Sequence, residues 1–329
     1  MAKWMNQIGT IIESRVPDIR KYTDRGAQHV VPQREWTALH ANTPLPPGSL
    51  YQIKRKPDIV LVEKSGNDNL QWSDILGFSE TTTILYNPRT EPSVKQKSYI
   101  MFMEQDNRSF NPVIYFKDDH FGFHLYDRNG LQKYFTKVKA VRAASNILRI
   151  LAHLLFGRPA SIGYDETIQC KGGRAERIMQ RNEWWNVDRE LYKSSSFVGR
   201  STKCWVVSRG EGNDIPIRLV LKDTWASAPS AENEYKVLKR IKEENINGGR
   251  SLPRLHDWDY VPVPPIYDGI DVESTAHRDP DNVTARVHCR LLSGPVAYPL
   301  ECFVNLKDLT GALADAVQGI FSSFTKIYC

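Results

Sequence analysis

The chain has 329 residues, of which 41% are hydrophobic and 25% are charged, a composition typical of a globular protein with about two domains. The formal net charge of +6 at pH 7 is mild and indicates an ordinary solvated surface, so we do not expect a nucleic-acid partner. No apolar run approaches the ~18 residues of a transmembrane helix, and the N-terminus lacks the pattern of a secretory signal. The five cysteines form no CxxC pair, which favours reduced thiols over disulfides or a zinc site. We therefore expect an intracellular protein of the cytoplasm or nucleus, without a membrane partner.

The first half of the chain combines helix and strand patterns. Apolar residues on one helical face predict a short helix at 8–16. Between 51 and 138 the pattern changes to strands: the run SYIMFME at 98–104 is compact and apolar, and residues 121–126 alternate as in a strand with one buried face. The DRNG sequence at 127–130 predicts a turn, and the segment after it is a suitable hairpin partner for the strand before it.

An apolar stripe at helical spacing predicts a helix at 141–155. We assign residues 1–165 to an N-terminal mixed α/β domain. The polar segment after it contains the pair Gly172-Gly173 and many charges, so we expect an irregular linker at 166–193.

The second half begins with a hairpin pattern, FVGRSTKCWVV followed by IRLVLKD, at 197–223. Helical spacing predicts helices at 231–243 and 306–326, and RVHCRLL at 286–292 indicates a strand. We assign residues 194–329 to a second domain, and the fold class of the whole chain is predicted to be α+β. The final helix has one strongly apolar face with nothing in the sequence to cover it, so it must fold back, bind a partner or be unstable. Of these alternatives we expect a protein partner.

Three residues of the second domain occur in the order that phosphoryl-transfer chemistry requires. This chemistry needs phosphates that are held still and whose charge is neutralised. Kinase folds achieve this with a glycine-bearing hairpin, a strand lysine and a helix glutamate that holds the lysine. Here Gly199 lies in the hairpin, Lys222 follows the apolar run of a strand, and Glu234 lies on the next helix. Each feature alone is common, but their order and spacing together indicate a nucleotide site.

Longer stretches of the chain resemble the fungal-type protein kinase family. In the second half, the resemblance is carried by FVGRSTKCWVV, LVLKDTW and LPRLHDWDYV, which lie between 197 and 261, and by RVHCRLLSGPVAYPLECF, which is similar to the family's hinge strand. In the first half, KPDIVLV, WSDILGFSE, EQDNR and LYDRNG are similar to segments that precede the kinase core. The resemblance implies that the second domain is a protein-kinase-like N-lobe with its hinge and first C-lobe helix. It also implies membership of a family of ATP:protein phosphotransferases of the serine/threonine type.

The resemblance further implies roles for individual residues. The loop residues that would cover the phosphates are Gly199, Arg200, Ser201 and Thr202. Lys222 would contact the phosphates and Glu234 would pair with Lys222. Ser201 stands where the family pattern has a second glycine, and its Cβ hinders the close backbone approach that glycine allows. We therefore expect at most weak binding of ATP.

The sequence also contains His277-Arg278-Asp279, which matches the HRD triplet of a kinase catalytic loop but not its setting. The catalytic loop requires an asparagine five residues after the aspartate, where this chain has Thr284. The triplet also precedes the hinge strand at 286–292, whereas a catalytic loop follows the first C-lobe helix. We therefore interpret it as a coincidence, and we expect a pseudokinase that is truncated before the catalytic loop and has no catalytic residue. Without the asparagine and the later metal-binding aspartate, we expect neither Mg²⁺ binding nor phosphotransfer by this chain alone.

A competing hypothesis concerns the first half of the chain. A proline–aspartate pair ending at Asp58, followed by Glu80, resembles the PD…(D/E)xK arrangement of nucleases, in which carboxylates bind a metal and a lysine helps to position water. The lysine is missing, because Thr82 occupies its position. The simpler interpretation is that Asp58 starts a strand and Glu80 ends one. The alternative function is a non-catalytic interaction or scaffold module with a degenerate nuclease-like N-terminal domain, in which Lys222 and Glu234 form only a structural ion pair.

Overall fold

The computed structural model describes residues 1–15, 33–46, 54–64, 69–81, 90–210, 216–246, 252–263, 272–278 and 284–328. Within these ranges the chain forms two β-sheets and five α-helices. The helices are α1 (Ala2–Arg15), α2 (Thr90–Glu104), α3 (Ala144–Phe156), α4 (Asn233–Glu243) and α5 (Leu306–Tyr328). The strands of the first sheet are β1 (Arg34–Thr37), β2 (Ile59–Glu63), β3 (Gly77–Thr81), β4 (Asn111–Lys117), β5 (His120–Asp127) and β6 (Gly130–Lys139). The strands of the second sheet are β7 (Ile168–Lys171), β8 (Arg174–Gln180), β9 (Glu183–Lys193), β10 (Lys203–Arg209), β11 (Ile217–Ser227), β12 (Arg254–Tyr260) and β13 (Arg286–Gly294).

The first sheet has the strand order β1-β2-β3-β4-β5-β6, and all neighbours are antiparallel except β3 and β4. Those two strands are parallel because α2 connects them as a crossover. On one face of the sheet α2 forms a core with residues such as Val94 and Phe102, and on the other face α1 and α3 contribute Met5 and Leu151 to a second core. Because both faces are covered, β2 is apolar along most of its length and does not alternate.

The apolar run at 98–104, predicted as part of the strand region, is the second half of α2, so that prediction is wrong. Ile100, Met101, Phe102 and Met103 are all buried, which means that the core encloses the helix on most sides there. An enclosed helix lacks the polar face that produces a period of about 3.6 residues, and a short apolar run cannot then be told from a buried strand.

The other helix and hairpin predictions are confirmed. α3 occupies most of 141–155, and β5 and β6 form a hairpin around the turn at 127–130. α1 contains the predicted helix at 8–16 as far as Arg15 and begins earlier, at Ala2. In the second half, α4, β13 and α5 lie close to the predicted bounds. Among the described helices, none is long and apolar enough to cross a membrane.

The second sheet is antiparallel, with the strand order β12-β13-β11-β10-β9-β8-β7. Strands β7, β8 and β9 occupy the segment predicted to be an irregular linker, so the expectation of irregular structure at 166–193 is wrong, while the division of the chain into domains stays a prediction. Gly172 and Gly173 are the turn of the β7–β8 hairpin and not a break, and both have positive φ, 54° and 78°. The exposed positions of these strands are mostly charged, so the buried row of side chains that includes Ile178 and Trp185 is hard to recognise in the sequence.

The two sheets meet where α2 ends. Asp106 is 4% exposed, and its carboxylate accepts a hydrogen bond from Lys193 Nζ of β9 at 2.6 Å. Lys203 Nζ of β10 donates to the backbone oxygen of Asp106, also at 2.6 Å. Burial alone raises the pKa of Asp106, but Lys203 and Lys193 together outweigh it and hold the pKa below its ordinary value. Two lysines of the second sheet therefore hold Asp106, Lys193 by its carboxylate and Lys203 by its backbone oxygen.

Candidate functional site

Strand β11 places Lys222 and Asp223 on opposite faces of the second sheet, because successive strand residues point to opposite sides. On the face covered by α4, Lys222 Nζ donates to Glu234 Oε2 at 2.6 Å. The side chains are 28% and 51% exposed, so the pair lies at the surface of the site and not in the core. Leu238 and Ile241 pack α4 against the sheet and hold Glu234 in reach. The lysine and the glutamate that were singled out from the sequence therefore form an ion pair.

The opposite face of the second sheet carries a buried charge network around Asp223. Its carboxylate accepts from His288 Nε2 at 2.9 Å and from Arg290 Nε at 2.8 Å. Arg290 is 1% exposed, and its Nη2 also donates to Asp165 Oδ2 at 2.5 Å. Burial raises the pKa of Asp223, but His288 and Arg290 outweigh burial and hold the pKa well below its ordinary value.

The same network contains the described side chains that come closest to a metal-ligand set. Single ligand atoms of Asp165, Asp223 and His288 lie within 4.8 Å of one another. The guanidinium of Arg290 already binds both carboxylates, and a metal ion would have to displace it. The residues therefore fit a structural ion network and not a metal site.

The loop between β9 and β10 contains the four residues predicted to cover phosphates. Gly199 has a φ of +93°, and an added Cβ would meet nothing within 4 Å, so the backbone conformation and not the packing favours glycine there. Arg200 O accepts from Trp225 N at 2.8 Å, which fixes the loop on β11. Ser201 has a φ of +42°, which residues with a Cβ seldom adopt. Thr202 Oγ1 lies 3.1 Å from the hydroxyl of Thr224, again on β11.

The tip of this loop packs against the first sheet. Phe197 is 4% exposed and stacks on Phe102 of α2, with ring centroids 4.8 Å apart. Gly199 N donates to Arg128 O at 2.8 Å, and Arg128 Nη1 donates to Ser201 Oγ at 2.9 Å. Arg128 lies in the β5–β6 turn, is 2% exposed, and burial lowers the pKa of its guanidinium to about 10.

The structure thus brings Lys222 and Glu234 into contact and places the loop on the neighbouring strands. Cys204 of β10 is the register partner of Lys222, so the end of the loop lies beside the strand that carries the lysine. The contact of Gly199, Arg200, Ser201 and Thr202 with phosphates stays a prediction.

Within the HRD triplet, Arg278 connects its own segment to the end of β5. Arg278 Nε donates to Asp127 at 3.1 Å and its Nη1 donates to Glu273 at 2.9 Å. The Arg278 side chain is 9% exposed, so both bonds are shielded from water. Asp279 lies outside the described residues. These contacts give Arg278 a structural reason to be present, which favours coincidence as the origin of the triplet.

The nuclease-like residues of the first sheet are also close together. Asp58 precedes β2 and accepts from Thr81 N at 2.8 Å, which places it beside Glu80 of β3. Lys97 of α2 donates to Glu80 Oε1 at 2.5 Å, and the two side chains are 5% and 9% exposed. Burial raises the pKa of Glu80 to about 7 in spite of Lys97. A lysine therefore does reach the carboxylate, but it comes from α2, whereas Thr82 lies outside the described residues.

Sequence reasoning did not find Asp223, Arg290 or Arg128. A signal existed for Asp223, because it lies in a row of β11 whose other members, such as Leu221 and Trp225, are apolar and buried. A carboxylate in such a row needs a charged partner. No comparable signal marks Arg128, which occupies a turn sequence that normally faces solvent.

A mixed α/β fold with two sheets, in which a strand lysine pairs with a helix glutamate, is consistent with a protein-kinase-like fold. The family model described as fungal protein kinase matches residues 56–261, which is more than half of the chain and includes strands of both sheets. The chain therefore belongs to the fungal protein kinase family. Comparison with curated proteins and with solved structures found no match.

Proposed function

We propose that β9 to β13 together with α4 form the nucleotide-binding lobe of a protein-kinase domain, and that this lobe binds ATP. The strand order supports the proposal, because β9, β10 and β11 are consecutive neighbours, α4 follows β11, and β13 lies between β11 and β12. In kinases this part of the fold carries the strand lysine and the helix glutamate. In the same proposal β13 is the hinge strand and α5 is the first helix of the second lobe.

The observation that carries the proposal is the 2.6 Å ion pair between Lys222 Nζ and Glu234 Oε2. In kinases the lysine contacts the α- and β-phosphates, and the glutamate keeps the lysine in position. Lys222 is 28% exposed, so its ammonium group is accessible to an anion while it remains bound to Glu234. The proposal assigns ATP binding alone to this site, and it assigns no catalytic residue and no Mg²⁺ ligand.

The proposal is tested by thermal unfolding of the full chain at increasing ATP concentrations. A ligand that binds only the folded state stabilises it by about 2.7 kcal/mol when its concentration is about 100 times Kd, so Tm rises with ATP. We expect this rise for the wild type and its loss in Lys222→Ala. The matched control is Lys236→Ala, because Lys236 lies on α4 like Glu234, is 65% exposed, and forms its own ion pair with Glu232 at 3.0 Å. An equal rise in Lys222→Ala, or no rise in the wild type, contradicts the proposal.

A second candidate function is a non-catalytic interaction module, and the surface of α5 favours it. Leu306, Val317 and Ile320 are 72%, 66% and 69% exposed, and an apolar helix face of this kind is typical of a surface that meets a protein partner. In this function the pair of Lys222 and Glu234 is only structural. The ATP titration separates the two candidates, because the interaction module predicts no rise in Tm for any variant.

The degenerate nuclease-like site belongs to this second candidate. The hydrogen bond from Lys97 to Glu80 supports the interpretation that the nuclease-like site is degenerate. In a nuclease this carboxylate would bind a metal ion, whereas here it binds the lysine. We expect no cleavage of DNA in Mg²⁺, by either the wild type or Glu80→Ala. Cleavage by the wild type that is lost in Glu80→Ala would show an active site instead of a remnant.

A further inference from the structure

The loop at 194–202 is held by the first sheet through an aromatic anchor. Phe197 belongs to the same buried core as Phe102, and the planes of the two rings are only 4° apart. Tyr99 and Tyr126 approach the same ring, with centroids 6.3 and 6.5 Å away. The side chain at the tip of this loop is therefore a core residue of the other sheet.

Hydrogen bonds with Arg128 hold the residues beside this anchor. Gly199 N donates to Arg128 O at 2.8 Å, and Ser201 Oγ accepts from Arg128 Nη1 at 2.9 Å. Arg128 is itself fixed, since its Nη2 donates to Arg108 O at 2.5 Å. Phe197 and Ser201 of the loop and Arg128 of the β5–β6 turn are all buried, so this is not a loose surface contact.

This contact competes with phosphate binding for the same loop. A kinase loop lies over the phosphates and approaches them with its backbone. The N–H of Gly199 is directed at Arg128 and cannot donate to a phosphate at the same time. The guanidinium of Arg128 lies 5.8 Å from the ring of Trp225, whose side chain is on the face of β11 opposite Lys222. The loop tip is thus drawn away from the face on which Lys222 and Glu234 lie.

We propose that the contact between the loop at 194–202 and the first sheet, made by Phe197 and Arg128, is an intramolecular brake on nucleotide binding. The contact keeps the loop away from the phosphates, and the loop covers bound ATP only when the contact opens. This inference rests on the proposed nucleotide site. The apparent affinity for ATP is then the intrinsic affinity reduced by the fraction of molecules whose loop is released. A brake differs from a merely structural contact in one measurable way, because loosening it tightens the binding of ATP.

Two variants loosen the contact to different degrees. Ser201→Gly removes the hydroxyl that accepts from Arg128, and it relaxes a φ of +42° that glycine adopts freely, so folding is preserved. Phe197→Ala removes the anchor itself, and because Phe197 is not among the predicted phosphate-covering residues, a gain in affinity there cannot come from a new phosphate contact. Val198→Ala is the matched control, since Val198 lies in the same loop but is an exposed residue, with 38% of its surface accessible.

The experiment measures, by isothermal titration calorimetry, the dissociation constants for ATP of these variants of the 329-residue chain. We expect Ser201→Gly and Phe197→Ala to bind ATP about tenfold more tightly than the wild type or better, and Val198→Ala to bind like the wild type. A second measurement does not depend on truncating the core. With 4-fluorophenylalanine at position 197 of the otherwise native chain, we expect ATP to shift the ¹⁹F signal as the ring leaves Phe102.

The outcomes distinguish the brake from the nucleotide site. If wild-type binding depends on Lys222, but both variants bind ATP no more tightly than the wild type and the ¹⁹F signal stays fixed, the brake is wrong and the proposed function stands. If no variant binds ATP, or if Lys222→Ala binds it as well as the wild type, the nucleotide site is wrong and the brake falls with it.

Discussion

Replacing Arg290 with methionine tests whether the charge network behind β11 holds the second sheet together. Arg290 is 1% exposed and donates to Asp223, Asp165, Thr167 and the backbone oxygen of Met179, at 2.8, 2.5, 2.7 and 2.9 Å. Methionine keeps most of the volume but leaves two buried carboxylates without their shared cation. Breaking a buried ion pair by removing one partner costs about 3–5 kcal/mol, and His288 still compensates part of the charge on Asp223. We therefore expect the free energy of unfolding to fall by about 3–5 kcal/mol.

The assay is urea unfolding followed by tryptophan fluorescence, with Arg218→Ala as the control. Arg218 lies on β11, the strand that carries Asp223, but it is 66% exposed and pairs with Asp188 at 3.4 Å, so its loss should change stability by less than about 0.5 kcal/mol. The pKa of Asp223 is depressed in the folded state, so its stabilisation is present above pH 3.8 and is lost as the pH falls further. The difference in the free energy of unfolding between the wild type and Arg290→Met should accordingly become smaller below pH 3.8. If Arg290→Met lowers the free energy of unfolding no more than Arg218→Ala does, this reasoning is refuted.

Two further predictions concern the first sheet and the segment after it. Burial raises the pKa of Glu80 from 4.5 to about 7, so the folded state retains a proton that the unfolded state has released. The free energy of unfolding of the wild type relative to Glu80→Gln should therefore be greatest below pH 4.5 and decrease by on the order of 2–3 kcal/mol as the pH rises to about 7. Urea unfolding at several pH values measures this difference, and a difference that does not change between these pH values contradicts the prediction. Gly163 has a φ of +99°, and an added Cβ would lie 2.0 Å from Phe110 O, so Gly163→Ala should cost more than about 2 kcal/mol. Gly172→Ala, at a positive φ with nothing within 4 Å, should cost less, and equal urea midpoints for the two variants would show that the close approach to Phe110 is unimportant.

The elements that were predicted correctly are those whose pattern is local and one-sided. α3 has one buried face, with Ile147, Leu151 and Leu154, so its period of about 3.6 residues is visible in the sequence. α2 has no such face in its second half, and the same reasoning mistook it for part of a strand region. In β7 to β9 the charged exposed positions dominate the composition, and the buried row with Trp185 does not stand out.

The candidate site shows the same division. Lys222 and Glu234 are 12 positions apart on adjacent elements, so their spacing is informative without a structure. Arg128 and Ser201 are 73 positions apart, in loops that connect strands of different sheets, and no local pattern connects them. The departure of Ser201 from a glycine pattern stays a prediction, and its partner, Arg128, is a long-range contact that only the folded chain creates.

The pairing of Lys222 with Glu234 as one phosphate-binding unit is tested by a double-mutant cycle on ATP affinity. Dissociation constants are measured by calorimetry for the wild type, Lys222→Ala, Glu234→Ala and the double variant, since a cycle isolates the energy shared by two residues. We predict that Lys222→Ala weakens binding about tenfold or more, equivalent to about 1.4 kcal/mol, and that adding Glu234→Ala weakens it no further. Wild-type affinity in Lys222→Ala, or losses from the two substitutions that simply add, would contradict the claim that this ion pair binds the nucleotide.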